Sequence, residues 1–168
     1  MPIKKKTLHI EKYNKDNQEE LNQTLYENVY FTDIRNFSFE MFPTATIFLL
    51  RGDLWFFKNL ILGFCVVLDF KNIPTISKQI YAEACQLDYK KIDSYNGVLL
   101  QELGVMPRYR NKGLGSKLFK YVKDNYTNRE IILKAENTAL EFWRKMNFVM
   151  IEGTQKNNMI FKANPEWE

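Results

Sequence analysis

The stretch that most limits what this chain can fold into is residues 98 to 125, VLLQELGVMPRYRNKGLGSKLFKYVKDN. It reads as a strand, a glycine-rich basic loop and a helix. Val98 to Val105 is a largely apolar run that leads to Pro107, whose fixed φ and missing N–H stop a sheet ladder. The strand therefore ends near Met106. Leu114, Leu118, Val122 and Tyr126 then recur every four residues, the period of a helix with one buried stripe starting near Gly113. Between them lies RYRNKGLGS, in which Gly113 and Gly115 leave no Cβ in the way of a ligand approaching the main chain. The first-turn amides of such a helix lack helical acceptors, and the helix dipole adds partial positive charge there. Arg108, Arg110, Lys112 and Lys117 surround the same turn, which favours a phosphorylated ligand such as a pyrophosphate.

Taken alone, Gly-x-Gly before a helix is common, and basic residues near a loop are usually solvated. Two familiar nucleotide signatures fail. A P-loop needs Gly-Lys-Ser/Thr, whereas this loop has Gly-Ser-Lys. The dinucleotide fingerprint needs three glycines and a later acidic residue, and only two glycines are present.

The longer pattern is more specific. L-x-V-x-P-x-Y-R-x-x-G-x-G (Leu103 to Gly115), a short strand, and N-x-A-x-x-F-W-x-x-x-N-F (Asn137 to Phe148) together resemble the GNAT superfamily of acyl-CoA-dependent N-acetyltransferases. That family's Arg/Gln-x-x-Gly-x-Gly/Ala loop, which wraps the CoA pyrophosphate, is present as Arg110, Gly113 and Gly115. The resemblance implies an α/β (α+β) fold, with a single mixed, mostly antiparallel six- to seven-stranded sheet, splayed between its fourth and fifth strands and carrying helices on both faces. It implies acetyl-CoA as cosubstrate, an amine as acceptor, and no metal. Carried onto this chain, the cofactor contacts fall on Leu103, Gly104 and Val105 of the strand. In the loop and helix start they fall on Arg108, Arg110, Asn111, Lys112, Gly113, Leu114, Gly115 and Ser116, and beyond it on Asn137, Phe142 and Trp143. Leu103 and Val105 would offer main-chain groups to a pantetheine arm inserted at the splay.

Length is consistent with one domain over residues 1–168, and 45% hydrophobic residues suffice for an ordinary core. The formal charge is +4, yet Arg108 to Lys123 contains six Lys or Arg and no acid. A nucleic-acid surface has a similar charge run. The glycine loop and the Asn137 motif argue against that reading, since a basic surface needs neither. Cys65 and Cys85 lack metal or redox spacing and read as buried thiols of a reducing compartment. The lysine-rich start, Lys4 to Lys6, is not followed by the apolar run of a signal peptide, and the longest apolar run is too short to span a bilayer. The expectation is a cytoplasmic protein without a membrane segment.

In chain order, Thr7 to Tyr13 alternates as a first strand, with His9 opposite Leu8 and Ile10. His9 is more simply structural than catalytic. Asp16 and Glu19 resemble a capping box before a helix carrying Leu21, Leu25 and Val29. Phe31 to Phe42 is aromatic; the resemblance places one wall of an acceptor site there, and core packing by a short second helix is the alternative for most of these residues. Thr44 to Arg51 and Leu60 to Phe70 read as strands separated by a Gly52-Asp53 turn and by Trp55, Phe56 and Phe57. Gly63 and Gly104 signal bulges or close approaches. A helix is expected over 77–91, a turn over 93–97, and a fifth strand over 130–135. Asn137 then caps a helix over 138–146, Asn147 takes the left-handed position that ends it, and a hairpin of 148–152 with 159–162 closes the chain.

The implied reaction is direct attack of an amine on a thioester. A lysine-like amine has a pKa of ~10.4 and must lose a proton first. Family bases lie on the face shared by Leu99, Gln101 and Leu103, and none of these is a base. Gln101 orienting a water ranks first for this role and Glu102 second. Trp143 stands where many relatives carry the tyrosine that protonates the leaving thiolate. A thiol of pKa ~8.5 leaves at pH 7 for roughly 2 kcal/mol, so that acid is dispensable. The main-chain N–H of Val105 or its neighbour would hold the oxyanion. An acyl-CoA-binding module without catalysis, and less favourably a nucleic-acid binder, are the alternatives. A homodimer is compatible with the family and with the aromatic segment near Trp55.

Overall fold

A computed structural model describes residues 7–13, 45–54, 57–73, 78–79, 82, 96–151 and 158–161. The helix expected from Asp16, the aromatic segment Phe31 to Phe42, Trp55 and Phe56, Cys85 and the hairpin tip lie outside these residues. So does most of the helix expected over 77–91, of which Lys78, Gln79 and Ala82 are described, all helical.

Among the described residues the strands are β1 (His9–Lys12), β2 (Thr46–Leu54), β3 (Phe57–Asp69), β4 (Gly97–Val105), β5 (Glu130–Lys134), β6 (Val149–Met150) and β7 (Asn158–Phe161). The helices are α1 (Leu114–Asn125) and α2 (Leu140–Lys145). The strands form one seven-stranded sheet in the order β1-β2-β3-β4-β5-β7-β6. β1 pairs antiparallel with β2, β5 with β7 and β6 with β7. β2 and β3 are neighbours joined across two residues, a connection that only an antiparallel pair permits. β4 and β5 are parallel, and their ladder runs from Gly97↔Glu130 to Leu99↔Ile132. The mixed, mostly antiparallel sheet is the expected one.

By compactness the chain divides into two units. One comprises Met1–Val66 with Glu102–Val122, and the other Val67–Gln101 with Lys123–Glu168.

In the first unit, Ile47, Leu49, Ile61, Phe64 and Val66 form a buried cluster joined by Tyr13, Ala45 and Met106. Ile61 and Phe64 share it although they are three residues apart, so strict alternation is broken between them. Gly63 lies at that break. A Cβ there would stand 2.7 Å from the Gly104 carbonyl oxygen and 3.1 Å from the Leu118 side chain. The close approach expected at Gly63 is therefore made by protein, not by a ligand. Phe48, on the other face of β2, meets Tyr121 of α1 edge-on at 5.3 Å. Leu114, Leu118, Phe119 and Val122 bury the α1 stripe.

The Gly52-Asp53 turn is not formed, because both residues continue β2. Leu8 and Leu62 pack where a Cβ on Gly52 would stand, and the Asp53 carboxylate accepts from the Asn59 amide. The chain instead reverses beyond Leu54, and Phe57 opens β3 rather than lying in a connection. Arg51, 2% exposed, donates through Nε to the Glu11 carboxylate and through Nη1 to the Asn59 carbonyl. It ties β1 to the β2–β3 hairpin with its charge paired, as a buried cation must be. His9 is exposed, with its ring Nδ1 near the Thr7 carbonyl.

In the second unit, Ile131, Ile132 and Leu133 of β5 are buried consecutively, as a strand covered on both faces requires. Asp69 caps a short turn by accepting from the Lys71 amide. It also takes both Nη groups of Arg129 at 2.7 and 2.8 Å. Arg129 further donates to the Gly97 carbonyl at 2.7 Å and lies over the Tyr126 ring. The guanidinium, first through these hydrogen bonds, holds the Asp69 carboxyl below the usual carboxylate range. The pair's contribution is thus complete above the unfolded-chain pKa of ~3.9 and is lost as pH falls through the lower folded value. Asp69→Asn should flatten the acid limb of stability measured by urea unfolding from pH 6 downward, leaving the neutral-to-basic slope unchanged.

Cys65 lies in the middle of β3 with no exposed surface, and burial pushes its thiol far up. The thiolate is the reactive form. A Cys65-only chain (Cys85→Ser) should leave a thiol reagent unconsumed under native conditions at pH 8 and consume one equivalent in 6 M guanidinium.

Asn137 does not cap a helix. It opens a 3₁₀ turn, Asn137–Ala139, preceded by Glu136, and α2 starts only at Leu140 without a side-chain cap. Asn147 has φ 66°, the left-handed end that was expected. Trp143 is buried, meeting Phe142 at 4.8 Å and Phe148 at 5.2 Å, both edge-on.

Candidate functional site

The loop that follows β4 is built stepwise from its sequence. Pro107 starts a 3₁₀ turn, Pro107–Tyr109, in which the Tyr109 amide donates to the Met106 carbonyl and the Arg110 amide to that of Pro107. Tyr109 is buried. Asn111 and Gly113 then take φ values of 59° and 77°, and these two left-handed residues turn the chain into α1. The first helical bond runs from the Lys117 amide to the Gly113 carbonyl at 3.0 Å. The amides of Leu114, Gly115 and Ser116 precede it and have no acceptor within the helix. A Cβ built on Gly113 would meet nothing within 4 Å. Glycine is therefore required here by backbone conformation, and the space above it is open.

The cations are not equivalent. Arg108 and Lys112 are exposed, and the Lys112 ammonium stands 5.4 Å from the centre of the Tyr109 ring. Arg110 donates from Nε to the Val105 carbonyl at 3.1 Å. Its two Nη groups carry no hydrogen bond among the described residues. Lys117 reaches back to the Leu8 carbonyl at 3.2 Å, so it ties α1 to the start of β1 rather than completing a ring of free cations around the loop. Open amides, a dipole and three cations favour an anion with several oxygens.

Strand β4 leads into this loop. Gln101 and Glu102 are consecutive half-buried residues, so their side chains take opposite faces. Leu103, Gly104 and Val105 are also half-buried. The Met106 amide donates to the Leu62 carbonyl of β3 at 2.9 Å. That bond removes Met106, the neighbour of Val105, as an oxyanion donor. The Val105 N–H belongs to the preceding peptide, whose carbonyl on Gly104 leans onto Gly63. Its N–H consequently points away from β3, and the β5 ladder ends at Leu99, short of it.

Asn137, Phe142 and Trp143 belong to the other unit, where Trp143 and Phe142 are part of the aromatic stack that continues through Phe148 to Phe161. Sequence reasoning missed the Nε bond of Arg110. It also missed the left-handed Asn111, although asparagine two residues before a glycine is a turn signal that points to it. Among the described residues, no three His, Cys, Asp or Glu side chains gather as they would around a metal ion. No helix there is long and apolar enough to cross a membrane.

A mixed sheet whose fourth strand runs through a left-handed loop into a helix is the arrangement that the sequence resemblance implied. Residues 90–164 match the acetyltransferase (GNAT) domain family. No curated protein matches. Among solved structures, AtaTR bound with acetyl-CoA shares 16% identity over 94% of each chain, with a TM-score of 0.55. AtaT complexed with acetyl-methionyl-tRNAfMet shares 17% over 93% of this chain and 95% of that one, at 0.53. A histone acetyltransferase and related acetyltransferase from Corynebacterium glutamicum shares 14% over 95% and 99%, at 0.61. At such identities these likenesses speak for the fold. The domain match over residues 90–164 and the sheet order together show a GNAT-type fold.

Proposed function

We propose that this protein is an N-acetyltransferase that moves an acetyl group from acetyl-CoA to an amine by direct attack. The observation that carries this is the α1 start, where the acceptor-less amides of Leu114, Gly115 and Ser116 lie beside open space above Gly113, with Arg108, Arg110 and Lys112 around them. Those residues suit the pyrophosphate, and acetyl-CoA would supply the activated acyl group as a thioester. The Val105 N–H, which points away from β3, would receive charge developing on the thioester oxygen. As the amine nitrogen bonds to the acyl carbon, the C–S bond breaks and sulfur leaves with the electron pair as a thiolate. The amine proton passes to water oriented by Gln101, or to Glu102. Trp143 donates no proton to the thiolate in this scheme, in keeping with a leaving group that needs little help.

Calorimetric titration with acetyl-CoA, CoA and dephospho-CoA tests the reading, followed by CoA release over a panel of amines. Micromolar binding with turnover of at least one amine is expected. Binding without turnover on any amine would favour the non-catalytic module, and no binding by the folded protein would overturn the acyl-CoA reading.

A second reading concerns the acceptor. Arg108, Arg110, Lys112, Lys117, Lys120 and Lys123 are all exposed, with no acid between them, and AtaT, of similar fold, has been seen with an acetylated aminoacyl-tRNA. An amine carried on RNA would suit that charge run. Its signature is an affinity for RNA that falls steeply with salt and that saturating acetyl-CoA, which takes up the Arg108, Arg110 and Lys112 end of the run, weakens but does not abolish.

A further inference from the structure

We infer that Arg110 is a positioning residue acting through its Nε: it holds the Val105–Met106 peptide so that the Val105 N–H stays directed away from β3. The use made of that N–H rests on the acyl-CoA reading above. The hold itself does not.

In a trans peptide the C=O and N–H point in opposite directions, and no described peptide is cis. The Val105–Met106 peptide is gripped from both sides. Its N–H, on Met106, donates to Leu62 of β3 at 2.9 Å, and its carbonyl, on Val105, accepts from Arg110 Nε at 3.1 Å. The preceding peptide is constrained as well, because the Gly104 carbonyl packs where a Cβ on Gly63 would stand. Val105 thus lies between two oriented planes, which together set its φ and ψ. Arg110 is itself placed by the turn, through its own amide bond to Pro107. The β4–β5 register stops at Leu99, and among the described residues Arg110 supplies the donor to the Val105 carbonyl.

The chemistry of the side chain makes the idea separable from a simple charge effect. Arginine Nε is the same number of bonds from Cα as glutamine Nε2. Arg110→Gln therefore keeps a planar donor at that reach and discards the charge. Arg110→Lys keeps the charge but has no nitrogen at that position, and Arg110→Met removes both while preserving length.

The test uses the full chain, labelled with ¹³C and ¹⁵N, with backbone resonances read before and after saturation with acetyl-CoA. Without ligand, the Val105 carbonyl should keep its wild-type shift in Arg110→Gln and move upfield, as an unbonded carbonyl does, in Arg110→Met and Arg110→Lys. With acetyl-CoA, the Val105 amide proton should move downfield in wild type and Arg110→Gln, and by less than half as much in the other two. An unmoved Val105 carbonyl in Arg110→Met, or equal displacement in all three variants, would overturn the hold. A wild-type Val105 amide indifferent to saturating acetyl-CoA would overturn its use. If wild type fails to bind acetyl-CoA at all, the acyl-CoA reading falls with that use, while the ligand-free carbonyl shifts still decide the hold.

Discussion

Gly113→Asp should abolish acetyl-CoA binding, weakening it by at least ~100-fold, or about 2.7 kcal/mol, while the protein remains folded. The two halves of this expectation have separate causes. Aspartate is among the few residues that visit the left-handed region as single residues, and a Cβ at Gly113 meets no protein atom within 4 Å. The fold should therefore survive the side chain, with a lower melting temperature from the strained φ of 77° but no steric clash. The ligand should not, because the new carboxylate occupies the space in front of the Leu114, Gly115 and Ser116 amides and repels the anion they would receive. Gly113→Ala, which fills the same space without charge, should weaken binding less than Gly113→Asp does. Calorimetry beside thermal melts distinguishes the two effects. If Gly113→Asp binds acetyl-CoA as wild type does, the anion is not held at the α1 start.

Gly63→Ala should do the opposite, damaging the fold first. The added methyl would stand 2.7 Å from the Gly104 carbonyl oxygen, which is backbone, and 3.1 Å from Leu118. Leu118 can adjust, but the carbonyl moves only if β4 shifts from β3. A loss of about 1–3 kcal/mol is expected, the range for overpacking a closed core, measured as a lower urea midpoint. Because Gly104 precedes Val105, the same shift redirects the Val105 N–H. Any Gly63→Ala protein folded at low temperature should therefore bind acetyl-CoA more weakly than its stability alone explains. Wild-type stability and binding in this variant would show that β3 and β4 do not press on each other as the structure has them.

Much of this architecture was legible in the sequence because it depends on local rules. Pro107 ends β4, the four-residue period from Leu114 marks α1, and Asn147 takes the left-handed end of α2. Among the described residues, every non-glycine position with positive φ is an asparagine: Asn59, Asn111, Asn128 and Asn147. Its short polar side chain tolerates a conformation that most residues avoid. The misplaced features have a common origin in packing. Gly52-Asp53 has the composition of a turn, yet Leu8 and Leu62 cover Gly52 and the Asp53 side chain engages Asn59, so β2 runs on. Asn137 has the chemistry of a cap, yet the chain enters α2 through a 3₁₀ turn that needs none.

The sequence by itself determined the order of elements, the glycine at 113 and the concentration of cations around it, since these follow from backbone conformation and charge along one stretch of chain. Only the tertiary structure decided what each polar group does there. Lys117 is turned to Leu8, far away in sequence, the Met106 amide is taken by Leu62, and the Val105 carbonyl is held by the Nε of Arg110. Hydrogen bonds form according to distance and direction, and those are set by how β1, β3 and β4 come together rather than by the identity of any one residue.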